Sequence, residues 1–220
     1  MNLPDCMLDL ETLGTGRDAA IISLGALRFN REANDLAGAR PFYLVTKMSG
    51  DIGTIDPATV LWWMQQEQAA RDAIFATDAQ NAAIPLKDLI SHFSRWLDLN
   101  DDTVGGKLFT LWSNGPTFDE MIIRDAADRK GSRLPVSYRS SRCCRTYYDL
   151  AERLWGAEGA RQRLKDAVLR RLPSNQLAEV KLHALHDCYL QAAHMQEIYQ
   201  EVLALSRPST VSQEAKEAKP

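Results

Sequence analysis

Nowhere is this chain apolar over the ~20 residues that a membrane span needs, and Met1-Asn2-Leu3-Pro4-Asp5 has neither the basic start nor the small-residue cleavage site of a secretory signal. A cytoplasmic protein without membrane association is therefore expected. Cysteine is scarce: Cys6, Cys143, Cys144 and Cys188 include no C-x-x-C pair, so neither a zinc knuckle nor a disulfide framework is encoded. An excess of positive charge is also missing. Against 26 Lys and Arg stand 29 Asp and Glu, a net charge of −3, so the whole-molecule field does nothing to attract a polyanion. A polyanionic partner would need local basic groups or bound cations. Internal repeats are absent. What is there is 220 residues, 45% hydrophobic and 25% charged, enough to bury one core in one domain.

Two short apolar runs, residues 5–10 and 19–29, flank Gly14-Thr15-Gly16 and read as adjacent strands joined by a turn. Residues 40–47, with Phe42, Tyr43 and Val45, suggest a third strand. Asp56-Pro57 supplies an N-cap followed by proline at the first helical position, opening a helix through Leu61-Trp62-Trp63-Met64. Leu86, Leu89, Ile90, Phe93 and Leu97 keep a helical period from Pro85 onward. Residues 108–112 read as a buried strand, Pro116 as the start of a helix with Phe118, Met121, Ile122 and Ala126 inward, and residues 142–147 as a strand before a helix over 148–155. Residues 157–181 look the least regular, an insertion or flap within a domain spanning 1–206. Leu185, Cys188, Ala192, Met195, Tyr199 and Val202 mark a long closing helix, and residues 207–220 have almost nothing to bury and are expected to be disordered. Strands first, then helices alternating with strands, predict an α/β fold with a mixed sheet.

Asp9 and Glu11 stand two apart at the end of the first strand, where a period of two puts both on one face. Crowded carboxylates repel unless a cation sits between them, and hard oxygen ligands suit Mg²⁺ or Mn²⁺. A pair of exposed strand-end acids is the competing explanation. Asp119 falls in the first turn of a helix after a buried strand, where the helix dipole alone favours an acid. Asp187 sits on the closing helix beside Leu185 and Cys188, and His183 precedes it by four residues, so a helix reaching back to 183 would put both on one face.

Together these strings resemble the DEDD, or DnaQ-like, superfamily of 3′-to-5′ exonucleases. Met7-Leu8-Asp9-Leu10-Glu11-Thr12-Leu13-Gly14 is similar to its first motif, Asn114-Gly115-Pro116-Thr117-Phe118-Asp119 to its second, and His183-Ala184-Leu185-His186-Asp187 to its third. Ile21-Ile22-Ser23-Leu24-Gly25-Ala26, the Leu61-Trp62-Trp63 helix and Arg145-Thr146 resemble phage and prophage exonuclease VIII-like and DexA-like proteins of the histidine branch. The resemblance implies an RNase H-like, five-stranded mixed sheet flanked by helices. It also implies two divalent ions, Mg²⁺ or Mn²⁺, on Asp9, Glu11, Asp119 and Asp187, and a histidine general base. Thr12, Leu13 and Asn114 match positions that hold the terminal nucleotide in relatives. The implied partner is a nucleic-acid 3′ end, single-stranded DNA first, with a homodimer admitted.

One departure stands out. The histidine branch places its base five residues before the last aspartate, where this chain has Leu182, whereas His183 lies four before. At ~3.6 residues per turn, His183 and Asp187 differ by roughly 40° around a helix, and His186 and Asp187 by about 100°, which favours His183 over His186 as the base. A 3′-to-5′ exoribonuclease of the same fold and an impaired, nonenzymatic nucleic-acid-binding relative are the competing readings. Trp62 and Trp63 could stack bases, with at least one of them expected in the core.

Overall fold

The structure, a computed structural model, describes residues 2–99, 109–173 and 183–206. Along these run β1 (Asp5–Thr12), β2 (Ile21–Phe29), β3 (Arg40–Val45), α1 (Pro57–Met64), α2 (Gln68–Phe75), α3 (Thr77–Ala82) and α4 (Leu86–Leu99). They are followed by β4 (Thr110–Ser113), α5 (Asp119–Arg129), β5 (Ser141–Cys143), α6 (Cys144–Trp155), α7 (Ala157–Arg171) and α8 (Ala184–Ser206). The five strands form one sheet in the order β3-β2-β1-β4-β5. The β1–β2 and β2–β3 pairs are antiparallel and the β1–β4 and β4–β5 pairs parallel, which is the mixed α/β sheet that the alternation of elements predicts.

Period-two alternation divides β1 between two cores. Cys6, Leu8 and Leu10 join Ile22 and Leu24 of β2 and pack against Leu89, Ile90 and Phe93 of α4 and Ile122 of α5. Met7, with Leu27, Phe29 and Trp112, packs on the other face against Cys144 and Ala151 of α6 and Cys188, Ala192 and Met195 of α8. Covered on both sides, β2 is buried along its whole length. Asp5, on the α8 side and fully buried, accepts from the Trp112 indole N–H at 2.9 Å and pairs with Arg31.

Asp56 caps α1 as its sequence suggests, accepting from Ala58 N at 2.9 Å, with Pro57 opening the helix. Two expectations need correction. Residues 142–147 are not one strand: β5 ends at Cys143 and α6 begins at Cys144. Thr146, Tyr147 and Tyr148 look strand-like, but Cys144 and Ala151 are buried at helical spacing with Tyr147 and Tyr148 packed beside them. The first part of 157–181 is regular: α7 turns Ala160, Leu164, Ala167 and Val168 onto the α8 layer. Its apolar stripe is thin among charged residues, and ion pairs from Arg170 and Arg171 to Glu197, at 3.0 and 2.7 Å, hold it to α8. Residues 174–181 and the 207–220 tail lie outside the described residues. No helix among those described is long and apolar enough to cross a membrane.

Candidate metal centre

Asp9 and Glu11 point to the α8 side of the sheet because they share parity with Met7 on β1. Asp9 pairs with Gly25 of β2, and Gly25 with Tyr43 of β3, so the three stand in one row across the sheet. The start of α8 crosses this row. His183, the residue before the helix, stacks its ring on Tyr43, with centroids 4.2 Å apart and planes at 24°. Ala184 lies over Gly25, and Asp187 reaches the acids of β1. Carboxylate oxygens of Asp9, Glu11 and Asp187 all lie within 4.8 Å of one another.

Asp119 arrives from the opposite side. In the parallel ladder β4 flanks β1 only from Asp5 to Met7. Beyond that, Asp119 Oδ1 at the start of α5 accepts the Leu10 N–H at 3.2 Å. This backbone bond is a structural task for Asp119 that also sets its carboxylate beside Asp9. Arg145, in the first turn of α6, brings its guanidinium against Gly115 and draws down the Asp119 pKa. Gly115, at φ +125°, has backbone geometry that a side chain resists, and a Cβ there would press on that guanidinium.

Electrostatics show the cost of this crowding. Burial, then the charges of Asp119, Glu11 and Asp187, push the Asp9 carboxyl well above the usual carboxylate range. Burial, then Asp187 and Asp119, raise Glu11 to about 8. Burial raises Asp119 to about 7 against the opposing pull of Leu10 N–H and Arg145, and burial raises Asp187 against His186. Besides the Leu10 N–H on Asp119, a neutral side chain serves the cluster: Gln191, one turn beyond Asp187, gives its amide N–H to Asp9 Oδ1 at 3.2 Å. Buried acids with so little cationic compensation form a hard-oxygen donor set that fits two divalent ions such as Mg²⁺ or Mn²⁺.

The other predicted residues are placed less uniformly. Thr12 lines a hollow of about 480 Å³ together with Glu11, Asp56, Thr59, Trp62 and Phe118. Leu13 does not reach it: its side chain is buried in the core while its backbone bonds Ala20 and Asp56. Asn114 is half-buried between β4 and Gly115, outside the residues lining the hollow. Both tryptophans line the hollow but differ in exposure: Trp63 is buried and donates its indole N–H to Thr12 O at 2.9 Å, while Trp62 is 43% exposed.

His183 departs from the helical-face expectation. Because α8 begins at Ala184, His183 occupies the capping position, and its Nδ1 accepts the His186 N–H at 3.4 Å. That bond puts the proton of the neutral ring on Nε2. Burial lowers the His183 pKa, so the neutral ring is favoured near neutrality. Gln191, Tyr43, Gly25 and Arg145 were not singled out as site residues from sequence. Gly25 and Arg145 stand in strings that carry the resemblance, and Gln191 has an i, i+4 spacing from Asp187, whereas Tyr43 has no such signal.

No curated protein sequence matches the chain. Solved structures share its RNase H-like fold. The Escherichia coli exonuclease I complex with single-stranded DNA superposes with TM-score 0.59 at 15% identity over 91% of this chain, which spans only 41% of that enzyme. Schizosaccharomyces pombe Pop2p, in a form with Mg²⁺ and Mn²⁺ bound, gives 0.57 at 15% identity over 94% of this chain and 87% of its own. The nuclease domain of 3′hExo, a DEDDh family member bound to rAMP, gives 0.52 at 10% identity, covering 91% and 92%. Across residues 4–199, from β1 into α8 and through all four acids, the sequence matches the 3′-5′ exoribonuclease Rv2179c-like domain, and the chain belongs to that family.

Proposed function

We propose that this protein is a metal-dependent 3′-to-5′ exonuclease that shortens single-stranded nucleic acid from its 3′ end. The observation that carries this reading is the convergence of Asp9, Glu11, Asp119 and Asp187 from β1, α5 and α8 beside an open hollow edged by Trp62. Asp9, Glu11, Asp119 and Asp187 would hold two divalent ions, which when bound activate water and offset charge on the departing 3′ oxygen. The chain's own groups do the rest. Thr12, Thr59 and Asp56 offer hydrogen-bonding groups to the terminal sugar in the hollow, and Trp62 gives its base an apolar edge. Arg145 holds the phosphate beside Asp119 by charge. His183 takes the proton from the attacking water once Nδ1 releases the His186 N–H.

DNA is the substrate suggested by the sequence resemblance, and the single-stranded DNA on the exonuclease I relative supports it. RNA is the second reading, favoured by the family description and by rAMP on 3′hExo. The finer kinship with phage exonuclease VIII-like and DexA-like enzymes draws support from Gly25 and Arg145, which belong to the strings carrying that resemblance and both adjoin the acids. The test is degradation of 3′-labelled and 5′-labelled DNA and RNA single strands with Mg²⁺, Mn²⁺ or EDTA. Metal-dependent release of mononucleotides from the 3′ end is expected, and release from the 5′ end or cleavage in EDTA would refute the proposal.

A further inference from the structure

Charge is distributed unevenly in this acidic protein. From Lys130 to Tyr148 there are five of the chain's 26 Lys and Arg and none of its 29 acids. Four of the five, Arg133, Arg139, Arg142 and Arg145, are exposed and make no ion pair with any described residue. Elsewhere exposed arginines are commonly paired, as Arg17 is with Asp125 and Arg161 with Glu158.

The geometry joins these cations into one surface. Arg142 lies on β5, the edge strand next to β4, and its guanidinium bonds Arg139 O at 3.0 Å and Ser141 O at 2.8 Å. Arg139 in turn donates to the Tyr138 hydroxyl at 2.9 Å and stacks 5.4 Å from its ring centroid. Tyr138 is 77% exposed, a large aromatic with no core task. It shares a hollow of about 780 Å³ with Arg133 and Arg124. Arg124, paired with Glu120, also borders a neighbouring groove of about 510 Å³, but Glu120, Asp125 and Asp128 line that groove and leave it outside the cationic surface. At the other end of β5, Arg145 stands against Gly115. The cations thus run from the acid cluster along the open edge of the sheet to an exposed ring.

We propose that the β5 edge, through Arg142, Arg139, Tyr138 and Arg133, is a track for the body of a single-stranded polynucleotide whose 3′ end occupies the metal centre. Unpaired guanidinium groups neutralise successive phosphates without reading sequence, and an exposed aromatic stacks any base. The track supplies the local basic surface that a protein of net charge −3 needs to hold a polyanion. It rests on the exonuclease reading for the direction of the strand, though not for its existence as a binding surface.

The experiment measures anisotropy of 5′-labelled thymidine and uridine strands of about 12 nucleotides, a length within single-strand site sizes, in EDTA so that nothing is cleaved. Full-length protein is compared with Arg139→Gln/Arg142→Gln, with Tyr138→Ala, and with a charge-matched control, Lys87→Gln/Lys165→Gln, taken from α4 and α7. The arginine pair is expected to weaken binding ~10-fold and to flatten the salt dependence by ~0.7 in log-log slope for each phosphate no longer neutralised. Tyr138→Ala is expected to cost ~5-fold or more. Weaker binding of either strand supports the track, and the two arms show which sugar it accepts. Unchanged affinity and slope in the arginine pair, or an equal weakening in the control, overturns it. Cleavage by the parent protein with Mn²⁺ is scored separately: binding through this edge without cleavage would sink the exonuclease reading and leave the track standing, whereas cleavage with binding indifferent to these residues would do the reverse.

Discussion

Gly25 stands opposite Asp9 in the β1–β2 register, and the backbone of Ala184 and Leu185 lies so close above it that a Cβ at position 25 would collide with both. The absent side chain is what lets the first turn of α8 rest on the sheet, and three residues beyond Ala184 that turn delivers Asp187 to Asp9 and Glu11. Gly25→Ala should therefore act on the site without touching a ligand. Overpacking is expected to cost ~1–3 kcal/mol of stability, because neither colliding atom is a flexible side-chain end. Mn²⁺ affinity and turnover should fall together. Urea unfolding and calorimetric Mn²⁺ titration check this, and a variant that binds Mn²⁺ as tightly as the parent would show that α8 is positioned by something else.

Local rules placed the four acids in the sequence, but each had an ordinary structural explanation beside it, and only the family resemblance joined the four into one set. Strand parity placed Asp9 with Glu11, a strand-to-helix turn placed Asp119, and a charge on an apolar helical face marked Asp187. Gly25, Tyr43 and Arg145 reach the site from β2, β3 and α6 only through sheet register and packing, which no local period reports. The histidine shows the same limit in a sharper form. A separation of about 40° holds only for a His183 inside the helix, but α8 starts one residue later, and a capping residue aims its side chain back at the first turn. For α7 the difficulty was composition: Ala160, Leu164, Ala167 and Val168 are spread through a segment dense in Arg and Lys.

Metal-free protein should lose stability as pH rises from about 6.5 to 8.5. Glu11 and Asp119 have folded pKa values of about 8 and about 7, above the ordinary carboxylate values of ~4 that they regain on unfolding. Over this window the folded state binds more protons than the unfolded state, so stability falls with pH until both acids have ionised. Burial lowers His183 and His194, so their unfolded rings, which still release protons just above pH 6.5, add an opposing slope that is smaller than that of the acids and fades by about pH 7.5. Melting temperature measured across this range in EDTA should decline, and millimolar Mn²⁺ should flatten the decline by binding the folded state. A flat EDTA profile would contradict the raised values.

Neutral isosteres of the acids should separate function from folding. Asp9→Asn, Glu11→Gln, Asp119→Asn and Asp187→Asn are each expected to abolish nearly all cleavage while remaining folded, since each replaces a crowded charge rather than a packing group. In EDTA at pH 8, Asp9→Asn and Glu11→Gln should melt at or above the parent temperature, because one buried like charge is gone. Asp119→Asn should gain less, since its amide oxygen can still accept the Leu10 N–H but without the charge that strengthens this bond and attracts Arg145. Turnover and melting of the same preparations decide this, and a folded variant that degrades a strand at the parental rate removes its acid from the metal set.

His183 carries two tasks that a single substitution confounds, capping α8 and accepting a proton. His183→Ala removes both, so it should cost about 1 kcal/mol of stability from the lost cap and ~10² to 10⁴-fold in turnover from the lost base. His183→Asn separates them. Asparagine is a strong N-cap whose side-chain oxygen can take the His186 N–H that Nδ1 now accepts, yet it has no basicity near neutral pH. The asparagine variant should regain most of the stability lost in His183→Ala while remaining as inactive. His186→Ala, with Nδ1 of His183 bonded only to its backbone N–H, should keep both the cap and most of the turnover. If His183→Asn restores turnover together with the melting temperature, the histidine serves as a cap alone and water loses its proton elsewhere. If His186→Ala is the more damaging change, the base is His186.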